Sequence, residues 1–286
     1  MTNPDFSDAA LVLIGHGSTI NAQSSRPVRQ LAEQLSARRL FAQVTPAFNL
    51  EHPKIGDISS IDAPRIFAVP ITISEGHFTE QTIPFELGLC KKPECDCAEG
   101  ECNYPKTEER DGKQIIYTSP IGTHPSMTDV LLSRARDIVQ QHPFPNAPCP
   151  DETALFIAGH GTGKNKNSRK SIEAQVETIR AKTDYADVQP AFMEEAPFIA
   201  DCYTATDAKN IIMVPFFIAD GLHTVEDIPV LLGETEKRVK ERLNAGQPTW
   251  RNPTERKGKL LWYTPPIGTE PHLPEVILER VKEMVN

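Results

Sequence analysis

The sequence repeats itself once, and this duplication constrains the fold more than any other feature of the chain. Leu11–Ser18 and Leu155–Thr162 each contain an apolar run that ends in a histidine between two glycines, and the two histidines are 144 positions apart. Further landmarks recur at offsets of 144, 145 and 146 positions: Ala47-Phe48 with Ala191-Phe192, Pro84 with Pro229, and Tyr117–Thr123 with Tyr263–Thr269. A near-constant offset over several landmarks predicts two homologous halves.

The boundary between the halves is expected in the proline-rich stretch 141–151, which is typical of a linker. We therefore predict one lobe at 1–143 and a second at 151–286. In both, short apolar runs alternate with stretches of helical periodicity. The predicted strands are 10–15, 43–48, 65–73 and 114–118 in the first half, and 153–158, 187–192, 210–218 and 259–263 in the second. The predicted helices are 24–38, 126–140, 168–182, 229–243 and 273–285.

This alternation predicts an α/β fold of two homologous lobes, each a parallel sheet flanked by helices. Ligands bind at the carboxyl ends of the strands in such sheets, so we expect an active cleft between the lobes, formed by the turns that follow the strands.

Composition excludes several classes of function. A net charge of −9 disfavours nucleic acid and anionic membranes as partners. No apolar run approaches the roughly 18 residues of a transmembrane helix, and the polar N-terminus does not resemble a signal peptide. We therefore expect a cytoplasmic protein, in which the six cysteines are reduced.

The histidines between glycines, His16 and His160, are candidate ligands for a metal or a substrate. Flanking glycines add no side-chain bulk, which allows a ligand to approach closely. The alternative is a turn histidine that only hydrogen-bonds the backbone; recurrence in both halves favours a functional role.

A second histidine follows the third strand of each half, at His77 and His223. Glu226 and Asp227 lie three and four residues after His223, where one helical turn would bring a carboxylate back to the imidazole. Such a partner orients a metal-binding histidine and raises its basicity. The acids are also explained by a helix N-terminus that begins at Thr224, and the two interpretations are compatible.

These motifs resemble the class II tetrapyrrole chelatases, the CbiX-like sirohydrochlorin cobalto- and ferrochelatases of cobalamin and sirohaem synthesis. The resemblance rests on Gly-His-Gly, on Ala-Phe-x-Glu and on Gly-x-His-x-x-Glu-Asp-Ile-Pro, and covers both halves, as in the longer members. It implies insertion of a divalent ion, cobalt or iron, into a tetrapyrrole held between two α/β lobes.

Carried over by motif, the resemblance assigns metal-binding and catalytic roles to His160, Glu194 and His223 in the second half. In the first half His16 matches directly, whereas Glu51 and His77 are each one residue out of register. Metal and catalytic roles are expected for His16 and His77 as well, but the second half keeps the better pattern.

The chemistry of these residues suits the same reaction. Two imidazoles and a carboxylate are good ligands for iron(II) or cobalt(II), and metallation releases two pyrrole protons that a neutral histidine or a glutamate can accept. The polar loop after the second Gly-His-Gly is a candidate for binding substrate carboxylates; it includes Lys164, Lys166, Asn167, Ser168 and Arg169. The alternative is a solvated turn.

Four cysteines, Cys90, Cys95, Cys97 and Cys102, form a segment that the second half lacks. Thiolates at this density are explained by an iron–sulfur cluster, by structural zinc, or by free surface thiols; we expect a metal. Cys149 and Cys202 are isolated and expected to be structural.

The sequence therefore predicts a lyase of the chelatase type that acts on a tetrapyrrole. The alternative is a non-catalytic tetrapyrrole or metal carrier with a redox cluster; a metal-dependent hydrolase is disfavoured because no nucleophile motif accompanies the histidines. Two fused halves are expected to suffice as a monomer, and a homodimer remains the alternative.

Overall fold

The structure is a computed structural model that describes residues 4–19, 22–90, 104–161 and 166–285. Three of the four clustered cysteines (Cys95, Cys97 and Cys102) and Lys164 lie outside the described residues, so the predictions for them stay predictions.

Both halves follow the same order of elements. The first half contains β1 (Ala9–Gly15), α1 (Arg26–Ala37), β2 (Gln43–Phe48), β3 (Arg65–Pro70), α2 (Ile83–Glu86), β4 (Thr107–Arg110), β5 (Lys113–Tyr117) and α3 (Met127–Gln141). The second contains β6 (Thr153–Gly159), α4 (Asn167–Lys182), β7 (Asp187–Phe192), β8 (Asn210–Pro215), α5 (Ile228–Leu231), α6 (Glu236–Asn244), β9 (Thr254–Arg256), β10 (Lys259–Tyr263) and α7 (Leu273–Lys282). A single turn of π-helix precedes α2 and α5; we call these the first π-turn (Phe78–Thr82) and the second π-turn (His223–Asp227).

Each half forms its own five-stranded sheet, in the orders β2-β1-β3-β5-β4 and β7-β6-β8-β10-β9. The first four strands of each order run parallel, which confirms the predicted α/β fold of two homologous lobes. The central strands β1 and β6 are buried along their whole length, as expected for parallel strands covered on both faces.

The edge strands β4 and β9 run antiparallel to their neighbours and were not predicted. Each belongs to a hairpin closed by two residues with positive φ, Asp111-Gly112 and Lys257-Gly258. Positive φ at both central positions is typical of a type I′ turn, which suits the twist of a hairpin.

The third strand of each half is shorter than expected, and one predicted helix is divided. The third strands end at Pro70 and Pro215, whose pairing partners Ile14 and Ala158 lie one residue before the ends of β1 and β6. The predicted helix 229–243 is divided into α5 and α6. The break contains Gly233, whose φ is +104°, and Thr235 caps α6 by accepting a hydrogen bond from the backbone N–H of Arg238.

The compact units of the molecule differ from the sequence repeats by one helix each. The first unit contains the residues up to His124 together with those from Pro271, and so includes α7; the second contains Pro125–Glu270 and so includes α3. In the first unit Arg280 of α7 donates hydrogen bonds to Pro120 O and Thr123 Oγ1. In the second, Arg134 of α3 donates to Thr269 Oγ1. Each unit thus contains the last helix of the other repeat.

Among the helices of the described residues, none has the length and apolar content required to cross a membrane.

Candidate active site

Two histidines of the second half meet at the carboxyl ends of neighbouring strands. His160 directly follows β6, and His223 begins the second π-turn a few residues after β8. Their rings lie 4.8 Å apart, centroid to centroid, and are nearly perpendicular at 79°. Glu194, which follows β7, places its Oε1 3.7 Å from His160 Nε2. The structure thus brings together the three residues that the motif selects in this half.

Each imidazole in this group uses its Nδ1 for a contact within the protein. His160 Nδ1 lies 2.9 Å from Gly161 O, and His223 Nδ1 lies 2.7 Å from Asp227 Oδ2. A carbonyl or carboxylate oxygen can only accept, so the neutral rings carry their proton on Nδ1 and keep a lone pair on Nε2. Nε2 is then the atom available for a metal ion on both rings.

The second π-turn is held by hydrogen bonds of its own Thr224 and of a buried tyrosine. Thr224 Oγ1 accepts a hydrogen bond from Gly221 N, and Tyr263 donates one from its hydroxyl to Thr224 O at 2.7 Å. Burial raises the pKa of Tyr263 well above its ordinary value, so the hydroxyl keeps the proton that it donates. π-Helical turns occur frequently at functional sites.

The glycines on either side of His160 allow neighbouring side chains of the protein to pack closely against the backbone. Gly161 has a φ of +67°, and a Cβ there would lie 2.8 Å from Cγ of Glu195 and from Cβ of Phe192. A Cβ on Gly159 would lie 2.1 Å from Ile172 Cδ1. The expectation that these glycines give a ligand close access is therefore replaced by a packing role.

The first half has the same local architecture but a different ring opposite its histidine. Phe78, and not His77, begins the first π-turn, and its ring lies 4.8 Å from that of His16. The turn repeats the contacts of its counterpart, because Thr79 Oγ1 accepts from Gly76 N and Tyr117 donates to Thr79 O. His77 therefore takes the position of Leu222 and directs its Nδ1 toward Thr82 Oγ1 at 3.5 Å.

The carboxylate of the site is also replaced in the first half. Leu50 and Glu194 each donate a backbone hydrogen bond to the carbonyl oxygen of the preceding histidine, His16 or His160, at 3.1 Å. Leu50 thus occupies the position of Glu194, and Glu51 occupies that of Glu195.

Glu51 has a structural role in the loop. It accepts hydrogen bonds from Ser18 N and from Arg29 Nη2. Burial alone would raise its pKa, but hydrogen bonds from Ser25, Arg29 and Ser18 outweigh burial and lower the pKa below its ordinary value. A carboxylate held this way braces the protein and is a poor metal ligand.

The residues predicted to bind substrate carboxylates lie at the start of α4 where the structure describes them, and their role toward a substrate stays a prediction. Arg169 donates to Glu173, Glu195 and Ala196 O and lies over the ring of Phe192, 5.0 Å from its centroid, as Arg29 lies over Phe48. It therefore supports the loop that contains Glu195 and Ala196. Asn167 begins α4, and Ser168 Oγ is buried with no hydrogen-bond partner among the described residues.

Among the described residues no three His, Cys, Asp or Glu side chains lie close enough to form a complete metal site. The second half supplies contacts in pairs, His160 with His223 and His160 with Glu194. Of the cysteines, Cys90 is half-buried and Cys149 exposed, and burial raises the pKa of the Cys202 thiol to about 12.

Sequence reasoning missed Phe78 as the counterpart of His223. The signal was present, because Pro84 and Pro229 follow the two π-turns at an offset of 145 positions, and this offset aligns Phe78 with His223.

Comparison with known proteins identifies the family. The family model described as CbiX matches the chain twice, over residues 10–138 and 154–284. The chain belongs to the CbiX family. The two matched segments correspond to the two halves of the sequence repeat.

A probable sirohydrochlorin cobaltochelatase of Halobacterium salinarum is 36% identical over 278 residues, which cover 96% of this chain and 91% of the relative. The chloroplastic sirohydrochlorin ferrochelatase of Arabidopsis thaliana is 28% identical over 140 residues, or 48% of this chain and 54% of that protein. One relative is thus named for cobalt and the other for iron.

Solved structures share the fold. SirB from Bacillus subtilis with Fe3+ superposes with a TM-score of 0.65 at 18% identity, covering 97% of this chain and 95% of that one. A multi-domain Deinococcus radiodurans protein with structural similarity to chelatases gives a TM-score of 0.73 at 24% identity and covers 97% of this chain. This chain spans 54% of that protein. Both likenesses confirm the α/β fold.

Proposed function

We propose that this protein is a chelatase that inserts a divalent metal ion, cobalt(II) or iron(II), into sirohydrochlorin. The observation that supports it most is the group formed by His160, His223 and Glu194, in which both imidazoles turn their Nδ1 inward and leave Nε2 for a metal ion. Membership of the CbiX family and the named activities of its cobalt and iron relatives support the same reaction.

The metal ion is a substrate in this reaction and must be bound only transiently. Two imidazole nitrogens and one carboxylate oxygen suit iron(II) and cobalt(II), and a set of three leaves coordination positions open. The macrocycle nitrogens can then take over the ion through those positions. The protein ligands contact one another only in pairs, which fits a site completed by the ion itself.

Insertion also requires that protons leave the macrocycle. The incoming ion replaces the protons on two pyrrole nitrogens, so charge balances when two protons pass to bases and then to water. Glu194 is suited to this role, because its side chain is 59% exposed and lies beside His160. A positioned acid–base group of this kind contributes roughly 10²- to 10⁴-fold to a rate.

We assign the metal to the second half. There the imidazole pair and the acid are present together, whereas the first half presents Phe78 and Leu50 at the equivalent positions. His16 and His77 then have no direct role in holding the ion. A metal on the four-cysteine segment stays a prediction from the sequence.

An insertion assay tests the function. The protein is incubated with sirohydrochlorin and cobalt(II) or iron(II), and the absorbance of the macrocycle is followed against the uncatalysed reaction. We expect acceleration that saturates with the pigment. Tight binding of the pigment without acceleration would contradict a chelatase and favour a carrier.

A further inference from the structure

The imidazole of His223 is held by one hydrogen bond. Its Nδ1 lies 2.7 Å from Asp227 Oδ2, and among the described residues this is the ring's only hydrogen bond. The His223 side chain is 47% exposed, so packing alone does not fix its rotation about the Cβ–Cγ bond. Its other neighbours are the rings of His160 and Phe217, at 4.8 and 6.3 Å.

We propose that Asp227 is a positioning residue, which fixes the tautomer and the orientation of His223 so that Nε2 presents its lone pair to the metal substrate. This inference rests on the proposed function of the same site. The carboxylate can only accept, so it selects the tautomer with the proton on Nδ1. Partners of this kind typically contribute 10- to 100-fold to metal affinity or activity.

The first half shows that Asp227 is not required to form the π-turn. The first π-turn has the same length and the same threonine and tyrosine contacts, yet Thr82 occupies the position of Asp227. The carboxylate is present where the turn begins with a histidine and absent where it begins with Phe78. The carboxylate at the end of the turn is therefore found with the histidine at its start, whereas the π-helical backbone forms with or without it.

The neighbouring acid provides a matched control. Glu226 carries the same charge one position earlier in the second π-turn, but among the described residues its carboxylate makes no hydrogen bond or ion pair. Replacing Glu226 by Gln removes one negative charge beside the site and leaves the Asp227–His223 bond intact. Any effect that Asp227→Asn has beyond this control reports the bond itself.

The test measures tautomer and metal affinity in the whole protein. Nitrogen-15 NMR of the imidazoles at a pH where they are neutral, with the His223 signals assigned by their loss in His223→Ala, reports which nitrogen is protonated. Titration with cobalt(II) alone reports affinity. In the wild type and in Glu226→Gln we expect a proton on Nδ1 and similar affinities. Asp227→Asn can accept from or donate to Nδ1, so we expect mixed tautomers and affinity weaker by about 10- to 100-fold.

A second variant at Asp227 separates the proposed effect from a loss of folding. Asp227→Thr copies the residue that the first half tolerates at this position, and we expect it to fold and to lose both the tautomer preference and the affinity. Unchanged tautomer and affinity in both Asp227 variants would overturn the proposal, as would an equal loss in Glu226→Gln. Neither readout requires turnover, so a protein that fails the insertion assay still tests this inference separately.

Discussion

Single residues separate the two halves of this chain more sharply than their folds do. The first half has Leu50, Phe78 and Thr82 where the second half has Glu194, His223 and Asp227. Each replacement removes a residue that we propose as a metal ligand or as the partner of one, and both halves keep a π-turn of the same length. The residues that differ are thus those with chemistry, whereas residues that support the turns, such as Tyr117 and Tyr263, are shared.

The glycine that follows His160 allows a prediction about stability. In Gly161→Ala the new Cβ meets Glu195 and Phe192 at 2.8 Å and also adopts a φ of +67°. Left-handed backbone costs about 1–2 kcal/mol for a residue with a Cβ, and overpacking adds about 1–3 kcal/mol. We therefore expect a loss of at least about 2 kcal/mol in the free energy of unfolding, measured by urea denaturation.

Gly246→Ala is the control for this prediction. Gly246 has a similar φ of +64°, but a Cβ there meets nothing within 4 Å, so only the cost of the backbone conformation applies. An equal loss in the two variants would show that Glu195 and Phe192 yield easily, and that packing does not explain the glycine after His160.

At the scale of secondary structure, the two π-turns share one backbone conformation, and their first and last residues decide whether a histidine and a carboxylate are present. Both π-turns start at the same place relative to their strands and use the same threonine and tyrosine contacts. Restoring the three replaced side chains with Leu50→Glu, Phe78→His and Thr82→Asp should therefore create a second metal site in the first half, opposite His16. At these two sites, titration with cobalt(II) is expected to change from one bound ion to two.

The same triple variant with His223→Ala added provides the control. The native site is then lost, and we expect the count to return to one ion, now bound in the first half. A wild-type protein that already binds two ions at these sites, one of them lost in His77→Ala, would contradict the assignment of a single site.

The elements were predictable to different degrees, for physical reasons. Buried strands such as β1 and β6 show as continuous apolar runs, and each run recurs at the equivalent place in the other half. The edge strands β4 and β9 are short and polar, so periodicity does not reveal them, although Asp111-Gly112 is a hairpin signal. The match of His77 with His223 rests on residue type alone. The offset of 145 positions between Pro84 and Pro229 aligns Phe78, and not His77, with His223.

At the scale of the whole molecule, the compact units exchange their last helices. α3 belongs to the second unit and α7 to the first. The last helix of each sequence repeat is therefore part of the unit that contains the sheet of the other repeat. The repeat predicts the existence and order of these helices but not this arrangement, because α3 and α7 occupy equivalent places in the repeat and each has buried apolar residues. The arginines that anchor them, Arg134 and Arg280, bind equivalent threonines in the two units.

We propose that the second half of the chain holds the metal ion during insertion. The most direct test compares His223→Ala with His77→Ala in the sirohydrochlorin insertion assay. Because we propose that His223 supplies a ligand, and because the ring opposite His16 is that of Phe78 and not of His77, we expect His223→Ala to lower the rate by about 100-fold or more and His77→Ala to stay close to the wild type. If His77→Ala abolishes insertion while His223→Ala remains near the wild-type rate, the working site lies in the first half and the assignment is wrong.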